Sequence, residues 1–427
     1  MTYKEFFGLA ENKGINKIQI TETTTKKLEI NYIDEKLEKY NIAEQVDYYI
    51  KAEKNKKTEK VKTNYMDKSI LDLLIMKLDE TDSSYEDEYL NRKKIMPLKE
   101  ITINISEKRK KELSSLYELK KLNSSISKIK SFYEECSERI RIINNLGTDI
   151  SSNKNLYSFA AEIIIDNKGE ISSYDKSIIK TEKNKIDFKQ FTKNIIEEGI
   201  IISTKKDIET KKYNIILSKT VAGNILSHLV DMLSETNIRL HTSCLENKMN
   251  QQIFNQKINI IEEPKNKKYP GYRLFDDEGT ETKDKSIVKD GKLITYLSNI
   301  KEAKINNSKS TGNGYEYITT SNMHIQEGNK THEEMLKKLN NGIYITDYMG
   351  ASSTSISQTT GKISLQVFGF IVENGKIICG FSPSIMTTTI FELFSNIKEI
   401  GNDISFTNLS SASPELLIEN ISIAGSK

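Results

Sequence analysis

Four histidines, His228, His241, His324 and His332, are among the scarcest residues able to do chemistry in this 427-residue chain. A zinc-peptidase helix sets two imidazoles about one turn apart with a carboxylate beside the first, so that metal and general base converge on one water. Around His228 the chain reads His228-Leu229-Val230-Asp231-Met232-Leu233, with no adjoining Glu and no second His. That site cannot be assembled locally, and a His/Asp pair three residues apart on a helix is most simply a hydrogen-bonded pair. His241 and Cys244 form an H-x-x-C pair of soft ligands, but two ligands do not close a zinc site. His324 and His332 sit in polar, turn-rich sequence and read as exposed.

The acidic cluster Asp276-Asp277-Glu278-Gly279 lacks the alternating oxygen-ligand spacing of a calcium loop and reads as a charged turn opening a strand. Ser310-Thr311-Gly312-Asn313-Gly314 is Gly-rich without Walker spacing or its Lys; it reads as a turn whose glycines take positive φ or admit another backbone. Ser352, Ser353 and Ser355 lack a G-x-S-x-G setting for a nucleophile. Cys136, Cys244 and Cys379 are odd in number, far apart and without C-x-x-C spacing, as small buried hydrophobes of a reducing compartment are. Spacing alone assembles no complete active site.

The elements that must position these residues follow from periodicity. Residues 3–13 read as a helix, 17–21 and 28–32 as two paired strands, and Ile70, Leu73, Leu74 and Leu78 as one face of a helix. A Lys/Glu-rich helical pattern runs over 106–143 with a break at Ser124-Ser125, followed by a strand at 159–165, a turn at 166–169 and a helix at 188–198. The polar stretch 205–212 marks the main boundary. Beyond it a buried strand at 213–217 leads into an apolar helix at 221–233, and then short strands alternate with turns such as Lys289-Asp290-Gly291-Lys292 and Glu373-Asn374-Gly375-Lys376. The expected fold class is α+β, a mixed helix-and-sheet N-terminal domain over 1–210 and a strand-rich C-terminal domain over 211–427.

Sixty-three Lys and Arg against 60 Asp and Glu give +3, and Arg is scarce beside Lys. Direct nucleic-acid binding is therefore not expected, since the basic excess and the bidentate phosphate reader are both lacking. No apolar run approaches the roughly 18 residues of a membrane helix and the first residues carry no signal-like apolar stretch, so a soluble, cytoplasmic protein without membrane contact is expected.

The second half also carries an ordered set of phrases. Arg273-Leu274-Phe275-Asp276-Asp277-Glu278-Gly279-Thr280 is followed by Val288-Lys289-Asp290-Gly291-Lys292-Leu293 and by Ser310-Thr311-Gly312-Asn313-Gly314. Then come Gly342-Ile343-Tyr344-Ile345, Gly369-Phe370-Ile371-Val372-Glu373-Asn374-Gly375, Ile400-Gly401-Asn402-Asp403 and a closing Ser422-Ile423-Ala424-Gly425. This order resembles the signature of the TldD/PmbA family. The resemblance implies two branches: TldD-like zinc metallopeptidases with H-E-x-x-x-H on the helix opening the C-terminal domain and a late Cys, and PmbA-like (TldE) non-catalytic partners. Together they form a two-subunit peptidase that trims or degrades small unfolded peptides.

Counted from His228, Leu229 stands where the Glu would be and Leu233 where the second His would be, and no Cys follows Asp403. The chain is thus similar to the PmbA branch. What this implies is no catalytic or metal-binding residue and no cofactor in this chain, with zinc expected in a TldD-like partner subunit. It further implies an extended peptide substrate and, for the chain alone, a homodimer. Asp276, Asp277, Glu278, Gly279, Thr311, Gly312 and Asn313 are the residues expected to shape the cleft. Two alternatives stand beside this: a metallopeptidase with a relocated site at His241, Cys244 and a distant carboxylate, and a regulatory protein-binding module of the kind the family's older "modulator of DNA gyrase" label suggests.

Overall fold

The computed structural model describes residues 1–81, 93–94, 103, 107–350 and 355–427. Helix Tyr3–Asn12 opens with a capping box, in which the Thr2 hydroxyl accepts from the Glu5 amide and the Glu5 carboxylate accepts from the Thr2 amide. Two orphan first-turn donors are thereby satisfied. A seven-stranded sheet follows, ordered Lys57–Thr63, Lys36–Lys54, Lys17–Ile33, Ile126–Asn144 and Asp149–Asn167, with Lys93–Lys94 and Glu170–Lys180 both paired to the last.

The two strands expected near the N-terminus are one. Lys17–Ile33 is antiparallel to a neighbour on each side along nearly its whole length. Its even-numbered face carries Ile18 and Ile20 into one core and Leu28, Ile30 and Tyr32 into another. Between them Glu22 meets Arg139 at 3.0 Å. The polar run Thr23-Thr24-Thr25 bridges two cores instead of turning, and β-branched threonines suit that role. Helices Tyr3–Asn12 and Lys68–Glu80 close the first core; Glu107–Ser114, the 3₁₀ helix Ser115–Leu122 and Phe188–Ser203 close the second.

The helical pattern expected over 106–143 stops at Leu122, and Ile126–Asn144 is a strand; Ser106 lies outside the described residues. The buried face of this strand includes Ser131, Glu135 and Ser137, and these polar residues hide the two-residue period. Glu135 is paired with Lys183 at 2.8 Å and accepts from the Tyr133 hydroxyl at 2.9 Å, as a buried carboxylate requires.

In the second half an eight-stranded sheet containing Lys211–Leu217, Gly342–Met349, Lys362–Glu373 and Leu416–Ala424 faces a six-stranded one built around Ile260–Glu262 and Met323–Ile325, across the largest apolar core. The short strand Lys205–Lys206 already belongs to the larger sheet, pairing with Gly380 and Phe381. Both expected hairpins form, with Asp290-Gly291 and Asn374-Gly375 at positive φ, the conformation that tight hairpin turns demand. Helices and sheets thus mix through the chain, as an α+β fold requires. Phe275 packs with Ile140, Ile142 and Ile150 and joins the two halves.

His324 corrects an expectation: it is buried, not exposed. It lies on the strand Met323–Ile325 between two neighbours, with Nδ1 3.0 Å from the Asn322 carbonyl and its ring edge-on to Tyr269. His332, half-exposed, sets Nδ1 2.9 Å from the Glu415 carboxylate, which also accepts from the Tyr344 hydroxyl at 2.8 Å. The Glu415 hydrogen bond raises the His332 pKa against the opposing effect of burial. A raised folded-state pKa stabilises the fold fully below the unfolded value of about 6.5, and the contribution is lost as pH rises through the folded value. The melting temperature is expected to fall between about pH 6 and about pH 8 more steeply in the wild type than in His332→Gln. Parallel pH profiles in a thermal-melt series would rule out this linkage.

Candidate functional site

The site is built where the helix after the boundary meets the two turns. The Ser218 hydroxyl caps helix Lys219–Ser227 by accepting from the Val221 amide at 3.3 Å. Gly223 lets that helix press on strand Ser411–Ser413, where a Cβ would stand 3.3 Å from the Ala412 Cα. The helix is interrupted at His228 and resumes as Leu229–Leu233. Val221, Ala222, Ile225, Leu226, Leu229 and Leu233 all enter the core, whereas Asn224, Ser227 and His228 are part-exposed and Asp231 is exposed. Burial lowers the His228 pKa, and the Asp231 carboxylate opposes that shift.

The turns singled out in the sequence are interlocked. Asp276 is fully buried; its Oδ1 accepts from the Glu278 and Thr280 amides at 3.1 and 2.8 Å, and its Oδ2 from the Gly314 amide at 2.9 Å. Burial pushes its carboxyl well above the usual carboxylate range, against the pull of these amides. Gly279 and Gly312 take positive φ, and a Cβ on Gly312 would stand 2.9 Å from the Glu281 carbonyl oxygen. Glu278 accepts from the Ile300 amide at 2.8 Å, and Thr311 accepts from the Ser298 amide at 2.8 Å.

Beneath them is a buried polar knot that the sequence reading missed. The Asn313 side chain donates to Glu262 at 3.0 Å and to the Thr319 carbonyl at 2.8 Å, and accepts from Lys285 at 3.1 Å. Lys285 in turn sits 2.5 Å from Glu262. Glu262 and Lys285 lie on neighbouring strands, in short segments with no motif to mark them.

A cleft of about 530 Å³ opens beside this knot, bordered by Lys154 from the first half, Ser227 and Asp231 from the helix, and Arg273, Asp277 and Tyr315 from the turns. Of the seven residues expected to shape a cleft, Asp277 borders this one. The other six stand behind it or brace the turns. The Arg273 guanidinium is paired with Asp277 and lies 4.6 Å from the Tyr315 ring centroid. Among the described residues Arg273 Nε and Tyr315 Oη are buried without a hydrogen-bond partner, an arrangement that native interiors seldom leave unexplained. Arg273 lies three residues before Asp276, and Tyr315 directly follows Gly314.

His241 and Cys244 lie elsewhere. His241 is exposed with Nδ1 2.7 Å from Glu246, and burial pushes the Cys244 thiol up to about 11, away from the thiolate that a metal takes. Ser352 and Ser353 lie outside the described residues. The family's metal set does not fit the residues of this helix, because Leu229 and Leu233 offer no donor atom and are fully buried.

An α+β scaffold with a helix and two locked turns around one seam cleft defines the class of protein. The family model described as PmbA/TldA metallopeptidase C-terminal domain matches residues 210–425, and the chain belongs to this PmbA/TldD metallopeptidase family. Metalloprotease PmbA homolog of Buchnera aphidicola subsp. Acyrthosiphon pisum is 29% identical over 305 residues, 67% of this chain and 66% of that one. Metalloprotease PmbA of Escherichia coli O157:H7 is 29% identical over 220 residues, 52% of this chain and 47% of that one. The matched regions thus span less than two thirds of these relatives.

Among solved structures, a Thermotoga maritima MSB8 protein named as a candidate modulator of DNA gyrase superposes with a TM-score of 0.87 at 24% identity, covering 99% of this chain and all of that one. TldE from Thermococcus kodakarensis gives 0.84 at 15% identity, covering 99% of each. At these identities the likeness establishes the fold. Among the described residues no helix is long and apolar enough to cross a membrane.

Proposed function

We propose that this chain is the non-catalytic, TldE-like subunit of a two-component TldD-type zinc metallopeptidase that processes small unfolded peptides. The observation that carries the reading is the pair of fully buried leucines, Leu229 and Leu233, at the positions where the family's catalytic branch has its Glu and second His. The scaffold around them superposes on solved structures of this fold with TM-scores of 0.87 and 0.84. Relatives named TldE and TldD both occur among the matches, which supports a partnership between branches. In this reading the zinc belongs to a TldD-like partner, and the present chain covers its cleft and holds extended peptide. Main-chain hydrogen bonding to strand edges would give such binding with little sequence preference.

The test is peptide hydrolysis by the purified chain alone, by a TldD-like subunit alone and by the mixture, with metal content measured for each. Hydrolysis that needs the mixture and is stopped by a chelator is the expected result. Stoichiometric zinc and hydrolysis in this chain alone would overturn the reading. They would instead favour a metallopeptidase in its own right, which the name metalloprotease borne by the PmbA relatives supports.

A further inference from the structure

We infer that the seam cleft recognises a cationic group, specifically an ammonium carried by an extended peptide, with Asp231 taking the charge and Arg273 and Tyr315 holding a neighbouring carbonyl oxygen. This rests on the peptide-processing reading above and adds the chemistry of what enters the cleft.

Two observations converge on it. The first is charge. Lys154 is neutralised by Glu138 at 3.1 Å, Glu316 by Lys62 at 2.6 Å, and Arg273 by Asp277. Asp231, on the exposed side of its helix, has no ion-pair partner among the described residues, so the cleft wall carries one uncompensated negative charge. His228, three residues earlier, is disfavoured as a cation by its burial.

The second is hydrogen bonding. Of the buried side-chain atoms left without a partner among the described residues, two, Arg273 Nε and Tyr315 Oη, belong to residues that border this one cleft. The Arg273 Nε–H can only donate, and the Tyr315 hydroxyl can donate as well. An acceptor oxygen on the ligand answers both, and a buried donor left unmet is costly. Asp277 holds the other end of the guanidinium, which lies 4.6 Å from the Tyr315 ring centroid, so the donors are positioned in advance. A peptide joins an ammonium to a carbonyl oxygen in either of two ways, at its free amino terminus or through a Lys side chain.

Fluorescence anisotropy with three C-terminally labelled short peptides of small neutral residues separates these sources: one with a free amino terminus, one N-acetylated, and one N-acetylated with a single Lys. The ammonium-bearing peptides are expected to bind about tenfold more tightly than the acetylated neutral one, as a charge-assisted contact allows. Whichever of the two binds better identifies the source. Asp231→Asn should erase the difference, and Tyr315→Phe should weaken all three peptides by a few-fold. Equal affinities for the three peptides, an unaffected Asp231→Asn variant, or no binding at all would overturn the inference. Hydrolysis by the mixed subunits is read separately. Its persistence alongside any of those results leaves the subunit reading standing, and its absence refutes that reading whatever the peptides do.

Discussion

Lys285→Met is expected to destabilise the protein by about 3–5 kcal/mol, because it removes one partner of a buried ion pair and leaves the other. Glu262 is 1% exposed and the Lys285 side chain 13%, so neither charge is rehydrated when its partner is lost. Methionine fills most of the space of the lysine stem, which makes the loss electrostatic more than steric. Glu262 would keep the Asn313 side chain and the Ser321 amide as donors, too few to offset a desolvated carboxylate. The double variant Glu262→Gln with Lys285→Met should recover part of the loss, since it removes the stranded charge and keeps a group that can bond Asn313. Urea unfolding of the two variants measures this directly. A loss below about 1 kcal/mol for Lys285→Met would mean that the pair behaves as a surface bridge.

The second large effect concerns restoring the motif. Leu229→Glu combined with Leu233→His recreates the letters of H-E-x-x-x-H from His228, yet is expected to bind no stoichiometric zinc. It should also cost on the order of 4 kcal/mol or more in stability, the range reached when an unpaired charge is placed in a core. Both leucines have no exposed surface and belong to the central apolar cluster of the C-terminal half. Beyond the first two residues of the helix the positions that reach solvent are Asn224, Ser227, His228 and Asp231, so ligands at 229 and 233 would point inward. Metal analysis and a thermal melt of the double variant decide the matter. One zinc per chain with an unchanged melting temperature would show that this helix is one rearrangement away from a metal site.

Local signals carried much of the fold. The helix at the N-terminus, the hairpin turns at Asp290-Gly291 and Asn374-Gly375, and the apolar face of Lys68–Glu80 each rest on residues close together in the chain, where short-range chemistry operates. Errors arose where distant partners override local pattern. Ile126–Asn144 looked helical because Glu135 and Ser137 are buried, and what permits their burial is Lys183 and Asn155 brought alongside by the sheet. Lys17–Ile33 looked like two strands because its polar centre bridges two separate cores.

The candidate site divides the same way. Its scaffold turns were legible as Gly-rich and acidic phrases, because a turn needs particular residues at adjacent positions. Asp276, Gly279, Gly312 and Asn313 were found so, whereas the leucines that stand in place of metal ligands were marked by the resemblance to the TldD/PmbA family. The use of those residues was not legible. That Asp276 ties one turn to the other, that Asn313 joins Glu262 and Lys285, and that Arg273, Tyr315 and Asp231 share a wall are facts about side chains up to 84 residues apart. The sequence by itself determined which backbone conformations and which ligand types are available to this protein. Tertiary structure alone decided which side chains lose water together, and burial is what turns a polar residue into a structural brace or a binding group.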